Sequence, residues 1–279
     1  MGPGLMVEIF SFYDRVFWLE YAPVLYHTDL LNDDYTTKTS LKCKKSAGKV
    51  GVTIETERGD SGALSSKIGT KFSYAKFNVD KAQATADGGR VLETSLKVSP
   101  DIKLSFKAKK GADLLIDYTK GNFYGTGILD VAEMSKFSTS ACMGLPSGIT
   151  AGGDVSYDLA GKTGVTGFNV GASYTKGPLF ASLTSESKFS KLNIGLLYKV
   201  SDDLSLASTT SHTSEKVCDL GAIGLAYKTP MGTLKAKYGG KKVSAALVTE
   251  IAPKVTLTAS GTADPSDFST FKYGLGIVM

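Results

Sequence analysis

The sequence predicts an all-β fold: a transmembrane β-barrel of 19 strands, its first and last strands parallel, preceded by one α-helix. Three observations predict it. From about Tyr35 to Met279, polar and apolar residues alternate with period two, and turn-forming residues recur at short intervals. The strands this pattern implies are far too many for an ordinary open sheet, which rarely exceeds ~10. No helical segment follows that could cover such a sheet, so closure on itself is the remaining way to remove its edges.

Residues 1–34 stand apart as a helix and linker. The stretch 5–20, LMVEIFSFYDRVFWLE, reads as a helix with Pro3 and Gly4 before it and Pro23 after it. Glu8, Ser11 and Arg15 share one face through the i, i+3, i+7 spacing, and most other positions are apolar. At ~1.5 Å per residue the helix is too short to cross a ~30 Å hydrocarbon core. It must therefore lie against something. The favoured place is the inside of the barrel, with the polar face toward water; the alternative is an anchor at the membrane surface.

Residues 35–279 carry the strands. The first runs, 35–44, 48–57, 63–73, 76–85, 90–98 and 101–109, are followed by 112–119, 122–131, 134–143, 147–157, 165–175, 178–186 and 189–199. The last are 202–210, 217–227, 231–238, 241–250, 253–262 and 268–278. In 48–57, Val50, Val52 and Ile54 oppose Lys49, Thr53 and Glu55. In 101–109, Ile102, Leu104, Phe106 and Ala108 oppose Lys103, Ser105, Lys107 and Lys109. In 253–262, Val255, Leu257 and Ala259 oppose Thr256, Thr258 and Ser260. Runs 122–131 and 134–143 alternate poorly. An odd strand number makes the first and last strands point the same way, so closure requires a parallel pair between 35–44 and 268–278.

Alternation alone does not say which face meets water. A sandwich buries its apolar face between sheets, while a membrane barrel turns it outward to lipid. Tyrosines beside lysines near strand ends (Tyr118 with Lys120, Tyr174 with Lys176, Tyr198 with Lys199, Tyr227 with Lys228) suit an interfacial girdle. The apolar faces also hold many Ala, Thr and Gly residues, which lipid tolerates and a packed core does not. With the apolar face outward, Lys38, Lys42, Lys49, Lys67, Lys71, Lys97, Lys103, Lys107, Lys109, Lys199, Lys235, Lys237 and Lys272 line the lumen, with fewer acids among them: Glu55, Glu57 and Glu93.

Other chemistries find little support. Hydrophobic residues are 42% and charged residues 21% of the chain, which argues against disorder. The net charge of +5 is spread along the chain without a basic run, so nucleic acid is not an expected partner. Cys43, Cys142 and Cys218, like His27 and His212, are too scattered for a disulfide framework or a metal site, and no cofactor is expected. Gly161-Lys162-Thr163 lacks the upstream glycine of a phosphate-binding loop, since position 156 is Ser156, and it reads as a hairpin turn. No nucleophile–base pair suggests an enzyme.

The two ends of the chain resemble one known family, the voltage-dependent anion channels, the general porins of the mitochondrial outer membrane. Gly2-Pro3-Gly4-Leu5, then Glu8-Ile9 and Tyr21, resemble the opening of plant-type members. Ile251-Ala252-Pro253 followed by Val255–Ser260 is similar to the penultimate strand, and Lys272–Met279 to the last. A 19-stranded barrel is the fold known for that channel. The resemblance implies a mitochondrial outer-membrane location and insertion through a C-terminal sorting signal of Lys272, Gly274, Ile277 and Met279. It further implies passive transport of nucleotides, phosphate, carboxylates and ions, and voltage gating. Its expected partners are membrane lipid, transported metabolite anions, and further copies of itself or other mitochondrial membrane proteins.

The chain departs from the family in three places, one of them the family's Gly-Leu-Lys triplet, which is present only loosely as Asp101-Ile102-Lys103. The 5–20 helix has only Arg15 as a basic residue where family helices carry several. Gln83 falls where some animal members bear a membrane-facing glutamate. The rival within reach is the barrel pore of the mitochondrial protein-import translocase. Its longer N-terminal extension and acidic patches are not matched by this short N-terminus and these lysines. A soluble all-β binding protein is the more distant rival.

Overall fold

The computed structural model describes residues 25–59, 61–161, 163–186, 188–216 and 218–279. The helix expected over 5–20, with Glu8, Ser11 and Arg15, lies outside them. The described residues form one short helix, α1 (Leu25–Asn32), and 19 strands. The first are β1 (Thr39–Ala47), β2 (Val50–Arg58), β3 (Leu64–Tyr74), β4 (Phe77–Thr85), β5 (Arg90–Lys97) and β6 (Ile102–Ala108). Then come β7 (Ala112–Lys120), β8 (Phe123–Asp130), β9 (Lys136–Gly144), β10 (Ile149–Asp158), β11 (Gly164–Lys176), β12 (Leu179–Glu186) and β13 (Lys191–Lys199). The series ends with β14 (Leu204–Thr213), β15 (Asp219–Thr229), β16 (Gly232–Gly239), β17 (Lys242–Ala252), β18 (Val255–Asp264) and β19 (Asp267–Val278).

Each strand pairs antiparallel with the next, and β1 closes the ring by pairing parallel with β19, Thr39 opposite Leu275 and Lys42 opposite Val278. Closure leaves no edge, as lipid requires of a spanning sheet. Tight turns keep the register: Gly48-Lys49 joins β1 to β2 with Gly48 at φ +58°, and Gly240-Lys241 joins β16 to β17 with both residues at positive φ, which matches the strands' right-handed twist.

Residues directly opposite in neighbouring strands share a face, so one assignment propagates around the ring. The two faces differ sharply. One carries Leu41, Val52, Ile54, Ile68, Ile116, Ile194, Leu206, Ile223, Leu234 and Leu275, all more than a third exposed. The other carries nearly all the buried strand residues, including Ser95, Thr126, Cys142, Thr150, Ser173, Leu197, Ala207, Ser244 and Ser260. Side chains converge on the concave face of a barrel and splay on the convex one, so the polar face is the inner one.

The structure adds to or changes the sequence reading in three places. First, the linker contains α1. Its sequence LYHTDLLN has no helical apolar repeat, so docking against the wall stabilises it. Because α1 and the reversal at Asp34 (φ 73°) use up residues 25–36, β1 begins at Thr39 instead of 35. Second, runs 122–131 and 134–143 are regular strands, β8 and β9. Their alternation is weak because Ile128 and Cys142 face inward while Gly125, Gly127 and Thr139 face outward. Third, a bulge at Asp80-Lys81 shifts the parity of β4. Gln83 pairs with Gly69 and Val91 and so joins the inner face with Lys67 and Glu93, away from the lipid side where the family comparison places it.

The parallel seam is closely packed. Thr36 accepts a hydrogen bond from the Ser260 hydroxyl, and its carbonyl group sits where a side chain on Gly274 would have to go. Replacing Gly274 by leucine is expected to block seam closure, lowering the yield of folded, protease-resistant barrel several-fold in detergent refolding.

Candidate functional site

The inner wall is the candidate site, and its charges are set by strand phase. Of the lysines expected there, Lys42, Lys67, Lys71, Lys97, Lys103, Lys107, Lys199, Lys235, Lys237 and Lys272 lie at inward positions of their strands, and Lys38 stands just before β1 on the same side. Two do not. Lys49 is the second residue of the β1–β2 turn, and Lys109 lies past the end of β6 in the turn to β7, where strand alternation no longer applies. Both are at the rims of the barrel instead of its wall.

Several wall lysines pair with acids. Lys38 pairs with Glu57, Lys42 and Lys67 hold Glu55 at 3.2 and 2.6 Å, Lys107 reaches Glu93 at 3.8 Å and Lys191 reaches Glu186 at 3.2 Å. These pairs sit in water, so each contributes under ~1 kcal/mol and leaves the lysine charge felt by passing ions.

The sequence reading missed the inward acids of β7, β8 and β10: Asp113, Asp117, Asp130, Asp154 and Asp158. The signal was present. Asp113 and Asp117 alternate with Leu114 and Ile116 at period two, as clearly as the lysines do. The Asp117 carboxylate accepts hydrogen bonds from the Tyr124 (3.2 Å) and Thr126 (2.9 Å) hydroxyls, and Asp154 accepts from the Asn169 amide at 3.0 Å. The wall is therefore sectored. Lysines dominate around β1–β6 and β16, while aspartates and hydroxyls dominate β7–β11.

α1 rests on this wall. Leu30 and Leu31 are buried against Phe180, Leu197 and Ala207, with Ala222 and Ala226 packed alongside. Gly224 makes the close approach possible, because a methyl group there would meet Leu31 at 2.7 Å. The last turn of a helix leaves carbonyl groups without partners and carries partial negative charge. Here the wall supplies them. Lys237 donates to the Leu31 carbonyl at 2.6 Å, Lys235 to that of Asp29 at 3.4 Å, and the Tyr35 hydroxyl to that of Leu30 at 3.1 Å. Lys235 also forms an ion pair with Asp34 at 2.6 Å, and the Lys237 ammonium stands 4.4 Å over the Tyr35 ring. Burial, with the neighbouring Asp34 charge second, pushes the Tyr35 phenol up to about 12.

The sorting residues divide between faces: Lys272 and Gly274 point inward, Ile277 outward, and the Met279 carbonyl accepts from the Lys44 amide at 2.5 Å. Among the described residues no group of three or more His, Cys, Asp or Glu could hold a metal ion.

The chain is similar to several known proteins. The family model described as Eukaryotic porin matches residues 26–276. Mitochondrial outer membrane protein porin 3 of Arabidopsis thaliana is 26% identical over 248 residues, covering 85% of this chain and 88% of that protein. A multiply substituted variant of Rh. blastica porin superimposes with a TM-score of 0.49 at 10% identity, over 85% of this chain and 94% of that one. The outer-membrane expressed OmpT of Vibrio cholerae gives a TM-score of 0.38 at 12% identity, over 81% and 84%.

Proposed function

Because the chain belongs to the eukaryotic porin family and forms a pore in the mitochondrial outer membrane, we propose that it passes small metabolites and ions passively with a weak preference for anions. The observation that carries this reading is the lysine-rich sector of the inner wall. Ions in so wide a barrel keep their water, so selectivity comes from the summed wall potential instead of from coordination. One charge at ~4 Å in water is worth about 1 kcal/mol, and salt screens it over roughly 8–10 Å. The inward aspartates offset part of the lysine field, which argues for a modest preference. Phosphate, carboxylates and nucleotides are the substrates that this wall and the family likeness suggest. In a planar bilayer with a potassium chloride gradient, the reversal potential should fall on the chloride side of zero. A value on the potassium side would sink the reading.

Voltage gating belongs to the same proposal, with the 5–20 segment as the moving element. Deleting residues 2–20 leaves α1 and its lysine anchors in the chain. The expected outcome is a channel that conducts but loses steep closure with voltage; unchanged gating would remove that segment from the mechanism. Lys272, Gly274, Ile277 and Met279 are proposed as the sorting signal read at insertion.

A further inference from the structure

One cavity in the wall breaks the charge pattern described above. It has a volume of about 330 Å³ and lies on the inner side of β4–β8, near the β5–β6 turn. Ser95, Lys97, Lys103, Asn78, Asp117 and Tyr124 are among its lining residues.

Lys97 and Lys103 stand directly opposite each other in the β5–β6 ladder. Like charges placed so are destabilising. Along the same two strands Glu93 faces Lys107, the opposite-sign pairing found elsewhere on the wall. Asp117 is directly opposite Lys103 on its other side, but its carboxylate turns toward the Tyr124 and Thr126 hydroxyls of β8. Among the described residues neither Lys97 nor Lys103 has a carboxylate within ion-pair distance.

A second observation is independent of charge. Ser95, two residues before Lys97 on the same face, is 3% exposed, and among the described residues its hydroxyl has no hydrogen-bond partner. An unpartnered buried hydroxyl is costly, because it has given up water without gaining a partner. Asn78 faces it across the β4–β5 ladder and Ser105 across the β5–β6 ladder. Two ammonium groups not ion-paired to the Asp101 or Asp117 carboxylates that also line the cavity, set beside a hydroxyl with a hydrogen to give, form a complement to a tetrahedral oxyanion.

We propose that Ser95, Lys97 and Lys103 form a low-affinity binding subsite for phosphate, free or carried as a phosphate ester, on the lumen wall. The proposal rests on the reading of the polar face as the lining of an aqueous pore. A bound phosphate relieves the Lys97–Lys103 repulsion and accepts from Ser95. Because the ammonium groups are exposed, the site holds its ligand weakly and briefly, which suits a way-station in a channel more than a store.

The test is single-channel chloride current in a planar bilayer, with inorganic phosphate added at constant ionic strength. The parent channel should show a saturable fall in chloride conductance. Ser95→Ala should raise the half-effect concentration about ten-fold, the worth of one hydrogen bond to a charged acceptor. Lys97→Gln with Lys103→Gln should abolish saturation. A linear phosphate effect in the parent, or a Ser95→Ala channel with the parent's half-effect concentration, overturns the subsite. Adenosine monophosphate in place of inorganic phosphate separates the ester from the free ion. Failure of the pore reading looks different: no ion conductance, or a reversal potential that does not respond to wall charge.

Discussion

Charge reversal of Lys67, Lys71, Lys103 and Lys107 to glutamate is expected to move the reversal potential from the chloride side to the potassium side. These four residues lie at inward positions of β3 and β6, within the lysine-rich sector. The substitutions replace four positive charges by four negative ones beside Glu55 and Glu93; Glu93 loses its ion-pair partner Lys107, and Glu55 loses Lys67 while keeping Lys42. The acids of β7–β10 then face a much weaker opposing field. Since each charge acts over only roughly 8–10 Å at physiological salt, the shift should be largest at low ionic strength and shrink as salt is raised. A reversal potential that stays put would mean that these side chains do not face the ion path. Lys235 and Lys237 are left out of this set deliberately, because their ammonium groups hold α1.

The second large effect is expected from those two lysines. Lys235→Ala with Lys237→Ala removes two donors to the carbonyl groups of α1, the ion pair to Asp34 and the cation over Tyr35. Hydrogen bonds from charged donors contribute roughly 1.5–3 kcal/mol where water is largely excluded, and the contact over the ring adds about 1 kcal/mol. Both are discounted here because the lumen admits water. The apolar seat of Leu30 and Leu31 remains, so partial release is expected instead of complete loss. A cysteine placed at Ala207, 4% exposed beneath the helix, reports it. With Cys43, Cys142 and Cys218 replaced by serine, maleimide should label Ala207→Cys about ten-fold faster once both lysines are alanine. Equal rates would mean that the leucines alone fix the helix.

The same anchor carries a pH dependence. The Tyr35 phenol is raised from 10.0 to about 12 when α1 is docked. Its neutral form is therefore favoured by docking, and the contribution is complete below pH 10. Between pH 10 and about 12 the released segment loses the phenol proton more readily than the docked one, so docking weakens as pH rises. Open-channel current noise should grow across that window, and Tyr35→Phe should remove the part due to the phenol.

Much of this molecule is legible in the chain itself. Period-two alternation from Tyr35 to Met279 determines nineteen strands, which strands carry lysine, and that the apolar and polar sides part company, because each strand's faces are set by local backbone geometry. The odd strand number determines the parallel seam. Wherever strand phase is unbroken, as at Lys42, Lys103 and Lys272, a residue's face can be read directly.

Phase is lost where the backbone departs from the ladder, and there only the folded ring decides. The bulge at Asp80-Lys81 moves Gln83 to the inner face. The turns carry Lys49 and Lys109 to the rims. α1 forms in a stretch without helical periodicity because residues some 206 positions away, Lys235 and Lys237, satisfy its carbonyl groups. The unmatched Lys97–Lys103 pair and the orphaned Ser95 hydroxyl likewise arise from register between strands. Local sequence sets which way a side chain points along its own strand, whereas its neighbours across the ladder are fixed only when the sheet closes.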